Sequence, residues 1–221
     1  MGKKIIAVVT CHKMVYPKHD LGGGHHNGES RVQAVKDTWY RNWQKVSDQI
    51  DLKFFYGRWP TEATRKPEDN EVFLDCRDDY YGLPEKVQAI FKWCLDNDYE
   101  AALKVDDDVW IHIPRLLSDL DSSSDYRGHE IEMDIPFASG TAYWLSRRAM
   151  EAVAQAEIDP KEWREDHHVG SVLARKDIFV TNDERYHSCH CSHCMTLVPE
   201  SQRITSHTVD PRRLYELMES C

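Results

Sequence analysis

Short apolar runs alternate with stretches of helical periodicity along nearly the whole chain, and that alternation limits the architecture more than any other feature of the sequence. Residues 4–10 form a β-branched apolar run, and the polar stretch from Cys11, with Gly22-Gly23-Gly24, His25 and His26, reads as a long loop. From Ser30, paired with Gln33 as a capping box, Val32, Val35, Trp39, Trp43 and Val46 recur at helical spacing towards Ile50. Strands are expected at 51–57 and 71–76, and Pro84 opens a helix whose buried face is Val87, Ile90, Phe91, Cys94 and Leu95. Ala101–Val105 is then a strand that runs into Asp106, Asp107 and Asp108. A short helix after Pro114, a strand over 137–145 and helices over 147–155, 163–175 and 211–218 complete the pattern. Such an order implies an α/β sandwich with a mainly parallel sheet. No repeat or linker divides it, so residues 1–221 are expected to form one domain.

Charge and cysteine usage narrow the function. The net charge of −10 argues against a general nucleic-acid binder, because phosphate contacts need clustered Lys and Arg. The N-terminus is too short in apolar residues for a signal core or a membrane span, and no long apolar run follows, which points to a cytoplasmic protein. Seven cysteines in such a compartment are expected as thiols or metal ligands. Three of them, Cys189, Cys191 and Cys194, lie among His187, His190 and His193, a density that suits either a structural Zn²⁺ site or a reduced hairpin.

The aspartate run carries the chemistry. Ligands of open α/β sheets bind beyond the carboxyl ends of strands, and three acids there repel one another unless a cation or a set of donors compensates. A hard divalent ion held by one or two carboxylates and by substrate phosphates would do so; a solvated acidic turn is the plain alternative. Strand alternation, if it persisted, would put Asp106 and Asp108 on one face and Asp107 on the other.

Five blocks in order resemble glycosyltransferase family 31, the β-1,3-galactosyltransferase and Fringe-like group. They are Arg31 to Thr38-Trp39; Asp78 to Lys86 with Trp93-Cys94; Leu103 to Ile111 around the aspartates; Ser139 to Ser146; and Glu165-Asp166-His167-His168-Val169-Gly170. The fifth departs from the family's Glu-Asp-Val-x-x-Gly by its two histidines, and the second has altered spacing. The resemblance implies a GT-A fold, a UDP-sugar donor and transfer with inversion aided by Mn²⁺ or Mg²⁺. Carried over, Asp108 is a metal ligand, Asp106 either a ribose contact or a second ligand, and Asp107 either structural or a contact to the donor sugar. His207 would complete the metal set. Asp166 is the candidate general base, with Glu165 as its neighbour and rival. Thr10 and Cys11 are candidate nucleotide-base contacts, Arg31 and Lys86 either phosphate contacts or solvent-facing helix residues, and Gly140 a donor-site residue.

The acceptor is expected to be a saccharide or, second, a hydroxymethylated pyrimidine in phage DNA; the family's Golgi members carry a membrane anchor that is not seen here, which suggests a bacterial, phage or viral enzyme. A catalytically silent nucleotide-sugar or glycan binder of the same fold is the competing reading. A metal-dependent phosphohydrolase is disfavoured, since neither a second carboxylate cluster nor a phosphate-cradling glycine loop is present.

Overall fold

The structure, a computed structural model, describes residues 2–11, 28–58, 66–120, 123–188, 198–208 and 211–220. The cysteines of the proposed zinc cluster, Cys189, Cys191 and Cys194, lie outside these residues.

The strands are β1 (Lys3–Val9), β2 (Asp51–Tyr56), β3 (Glu71–Phe73), β4 (Tyr99–Asp106), β5 (Val109–Ile111), β6 (Tyr126–Ile131), β7 (Phe137–Ser146), β8 (Thr181–Asn182), β9 (Tyr186–His187) and β10 (Thr205–His207). The helices are α1 (Gly28–Asp37), α2 (Trp39–Gln44), α3 (Leu83–Asp96), α4 (Ile113–Leu117), α5 (Arg147–Ala154), α6 (Glu165–Ala174) and α7 (Pro211–Ser220). Seven strands form one mixed sheet in the order β3-β2-β1-β4-β7-β6-β8. The pairs β2–β3, β1–β2, β1–β4 and β6–β8 are parallel, while β7 runs antiparallel to both β4 and β6. A small second sheet, β5-β10-β9, lies beside it.

Alternation along β1 shows why the chain makes a three-layer sandwich. Ile5, Ala7 and Val9 pack with Val87, Ile90 and Phe91 of α3, Met150 of α5 and Leu173 of α6. Ile6 and Val8 face the other way, into a layer with Val32, Val35, Trp39, Leu214 and Leu217. Both faces of the central strands are covered, so they read as continuous apolar runs rather than alternating ones.

Three expectations change. The first helix begins at Gly28, so Ser30 lies inside its first turn rather than capping it. Nor does that helix reach Ile50: it breaks at Thr38, whose backbone (φ −117°, ψ −113°) is not helical and whose hydroxyl donates to the Ala34 carbonyl at 2.6 Å. The break turns Trp39 into the core, where its indole N–H donates to the Val109 carbonyl at 2.9 Å. Burial of that ring outweighs the regular helical path. Strand β3 also stops at Phe73, short of Cys76.

Helix α6 crosses β7 so closely that a Cβ on Gly170 would sit 2.4 Å from the Phe137 Cβ. Gly170→Ala would gain about 1 kcal/mol of helix propensity. Overpacking costs about 1–3 kcal/mol and should prevail. A lower urea midpoint with an unchanged slope is therefore expected; a raised midpoint would show that the two elements separate freely.

Candidate active site

Parallel pairing places Val9 opposite Asp106, so the carboxyl ends of β1 and β4 open onto the same edge of the sheet. That edge holds the aspartates. Strand β4 ends at Asp106, and Asp107 and Asp108 form a turn into β5, so strand alternation does not extend through the run.

Asp107 is turned inward. Its Oδ2 accepts from the Thr10 hydroxyl at 2.7 Å, and its Oδ1 lies 3.4 Å from the Arg31 guanidinium. Burial, opposed by Arg31, pushes its carboxyl above the usual aspartate range. The same guanidinium lies 3.2 Å from Asp108 Oδ2, so Arg31 is a buried strut between the two acids rather than a solvent-facing helix residue.

Asp108 is positioned by the second sheet. β5 follows it directly and pairs antiparallel with β10, with His207 opposite Val109. His207 Nε2 thereby lies 3.3 Å from Asp108 Oδ2, and the Asp108 carbonyl accepts from both the backbone N–H and the hydroxyl of Thr208. Burial works against ionisation of Asp108, but the hydrogen bond and charge of His207, with Arg31, hold its carboxyl below the usual range. Burial would lower the His207 imidazole; Asp108 and Asp106 instead raise it. The other oxygen, Asp108 Oδ1, is buried and has no hydrogen-bond partner among the described residues.

Lys104 forms the second cluster. A lysine within an apolar strand is costly unless paired, and its ammonium lies 2.7 Å from Asp106, 3.2 Å from Glu165 and hydrogen-bonded to the Gly140 carbonyl. Burial would discharge it, but the Asp106 and Glu165 carboxylates raise it further above its usual value. Glu165 also accepts from the Tyr143 hydroxyl, and burial pushes it up to about 7. Asp166, half-buried, accepts from the Gly140 backbone N–H at 3.0 Å and from that of His167 at 2.8 Å. A Cβ on Gly140 would meet Glu165 Oε2 at 3.1 Å and Asp166 Oδ2 at 3.2 Å, so the close approach of α6 to β7 favours glycine here.

Lys86 and Cys11 complete the edge. The Lys86 ammonium, buried at the start of α3, donates to the Thr10 carbonyl and to Asp78, and so ties α3 to the end of β1. Cys11 is buried, and desolvation together with Asp107 pushes its thiol up to about 12. Lys104 and Tyr143 are not among the residues expected at the site, although a lysine two residues before the aspartates in an apolar strand is a visible signal.

A divalent cation fits one end of this edge. Among the described residues no three His, Cys, Asp or Glu side chains form a ready cation cage. The donor set is instead a buried carboxylate with one oxygen uncommitted, an imidazole beside it and a neighbouring half-buried carboxylate, Asp106. Oxygen and imidazole donors of this kind suit Mn²⁺ or Mg²⁺ when phosphate oxygens and water fill the remaining positions.

The sequence model of the Galactosyltransferase family matches residues 30–135, which include Arg31, Lys86 and the three aspartates and end before Gly140. Among solved structures the chain is similar to a glycosyltransferase involved in glycosylation of the major capsid of PBCV-1, at 14% identity and a TM-score of 0.54, with 98% of this chain and 99% of that one covered. It is also similar to a protein from Desulfovibrio desulfuricans G20 described as a nucleotide-diphospho-sugar transferase, at 14% identity and a TM-score of 0.51, covering 83% and 80%. At such identity these two likenesses show the fold. No curated protein matches the chain. No helix among the described residues is long and apolar enough to cross a membrane.

Proposed function

We propose that this chain, which resembles family 31 glycosyltransferases and has the GT-A fold, moves a sugar from a UDP-sugar to an acceptor hydroxyl with inversion, in a reaction that requires Mn²⁺ or Mg²⁺. The observation that carries the donor assignment is the buried, uncommitted Asp108 Oδ1 beside His207 at the carboxyl edge of the sheet. A nucleoside diphosphate brings the negative charge that a cation at this point would bridge, and the bound ion would stabilise the charge that appears on the departing diphosphate.

Asp108 and His207 would hold that ion, with Asp106 as a further ligand or the ribose contact. Asp107, with both oxygens engaged inside the protein, anchors the turn and does not reach the donor sugar. Arg31 sets the angle between Asp107 and Asp108. Thr10 and Cys11 lie at the end of β1, where the nucleoside would rest, and Lys86 supports them from below through the Thr10 carbonyl. Gly140, expected at the donor site, lets the Asp166 carboxylate approach β7.

Asp166 is the better base of the adjacent pair. Glu165 has a carboxyl tuned towards neutral pH, which suits proton transfer, but it is buried with Tyr143 and Lys104 on its oxygens. Reach takes precedence over tuning. Asp166 is half-buried and oriented by two backbone N–H groups, so it can take the acceptor proton as that oxygen attacks the anomeric carbon. Lys104 holds Asp106 and Glu165 together and so fixes the distance between the donor and acceptor halves.

Calorimetric titration of UDP into metal-stripped protein should show binding that depends on added Mn²⁺, followed by slow hydrolysis of the matching UDP-sugar. Equal affinity with and without the ion would overturn the metal assignment, and no affinity for UDP would overturn the donor. Binding without any turnover across donors and acceptors would favour a silent binding protein of the same fold.

A further inference from the structure

Three aromatic side chains that the donor chemistry does not use form a shelf at the same edge. Tyr80 and Tyr81 lie in the 3₁₀ turn before α3, and Trp163 lies two residues before Glu165. Their ring centroids are 5.6 Å apart for Tyr80–Trp163, 6.2 Å for Tyr80–Tyr81 and 6.4 Å for Tyr81–Trp163, in tilted and edge-on arrangements. Tyr81 is 50% and Trp163 41% exposed, although neither core layer includes them. Contiguous exposed aromatics beside a reactive centre mark a binding surface rather than a packing defect.

Both segments bearing the shelf are held rigidly. Asp79 accepts from the Gly82 N–H at 2.8 Å and pairs with Arg77, while Asp78 pairs with the buried Lys86. On the other side Glu162 accepts from the Arg164 backbone and guanidinium and from the His167 ring, which pins the residues around Trp163. A platform fixed before binding loses little entropy when a ligand is laid on it.

We infer that Tyr81 and Trp163, backed by Tyr80, form an acceptor subsite that stacks against the apolar face of a sugar ring and presents its hydroxyl to Asp166; the inference rests on the transferase reading above and names its acceptor class as a saccharide. Pyranose rings carry a C–H face that suits the negative face of an aromatic ring, with hydroxyls left at the rim for polar groups. Charge selects between the two acceptor classes. Around the shelf Asp78, Asp79 and Glu162 are paired with Lys86, Arg77 and Arg164, and Asp159 and Lys161 carry opposite charges, so no cluster of positive charge flanks it. A DNA backbone needs clustered, uncommitted cations along its path, and these flanks do not supply them.

The test compares wild type with Trp163→Ala, Tyr81→Ala and Trp163→Phe, using a printed oligosaccharide array and a duplex containing hydroxymethylcytosine as probes. Mn²⁺-dependent UDP binding and UDP-sugar hydrolysis are read in parallel. Wild type should mark a family of oligosaccharides. Trp163→Ala and Tyr81→Ala should weaken that binding, or raise the acceptor KM, about tenfold or more. UDP binding and donor hydrolysis should stay within about twofold, and Trp163→Phe should recover most of the glycan affinity. Glycan binding that is unchanged in both alanine variants would overturn the shelf, as would an array left blank or transfer to the duplex instead. Those outcomes are separate from the loss of UDP binding, which would instead remove the transferase reading.

Discussion

Asp108→Asn is expected to abolish the Mn²⁺-dependent part of UDP binding, weakening it about a hundredfold or more, while the fold remains. Asparagine keeps the shape of the side chain and one acceptor oxygen, but it cannot offer a negative charge to a divalent ion, and hard cations depend on that charge. The substitution also removes the carboxylate that holds the His207 ring beside the site, so the imidazole loses its orientation as the carboxylate is lost. Calorimetry with and without Mn²⁺ reads the binding, and far-ultraviolet circular dichroism reads the fold. Retained metal-dependent affinity in a folded variant would move the ion away from Asp108 and take the donor assignment with it.

A loss of the opposite kind is expected from Asp166→Asn: turnover should fall about 10²–10⁴-fold, the usual contribution of a positioned base. UDP affinity should be unchanged, because none of the contacts seen for Asp166 is to the aspartate run. Initial-rate kinetics with saturating donor separate the two effects. If Asp166→Asn retains wild-type kcat, or if Glu165→Gln costs more in a protein that still folds, the proton goes to Glu165 and the geometric ranking of the pair is wrong.

The central strands and the aspartate run were legible because their signals are local. An apolar strand ending in three acids reads from a few neighbouring residues, as does a proline-opened helix with its apolar face. Strands of two or three residues have no periodicity to read, so β5, β8, β9 and β10 left no mark in the sequence. The pairing of His207 with Asp108 came from the resemblance to a family rather than from any pattern near residue 207. The break at Thr38 was hidden for a related reason, since helical spacing continues through Trp39 and Trp43 and only the demand of the core for Trp39 interrupts it. Lys104 shows the limit from the other side: its residue type was unusual for its place, but the three groups it joins lie on different elements.

The pairing of β5 with β10 brings Thr208 to the Asp108 carbonyl across 100 positions of chain, and Asp108 is held at that junction. The β1–β4 ladder closes a span about as long, but over a register from Lys3 to Val9 that both core layers cover, whereas β5 and β10 repay theirs with three residue pairs. The donor end of the edge is thus expected to open more readily than the β1–β4 ladder beneath it. A nucleotide with its ion, resting on Asp108 and His207, would act as a clasp across that long closure: occupancy should slow amide exchange in β10 far more than in β1.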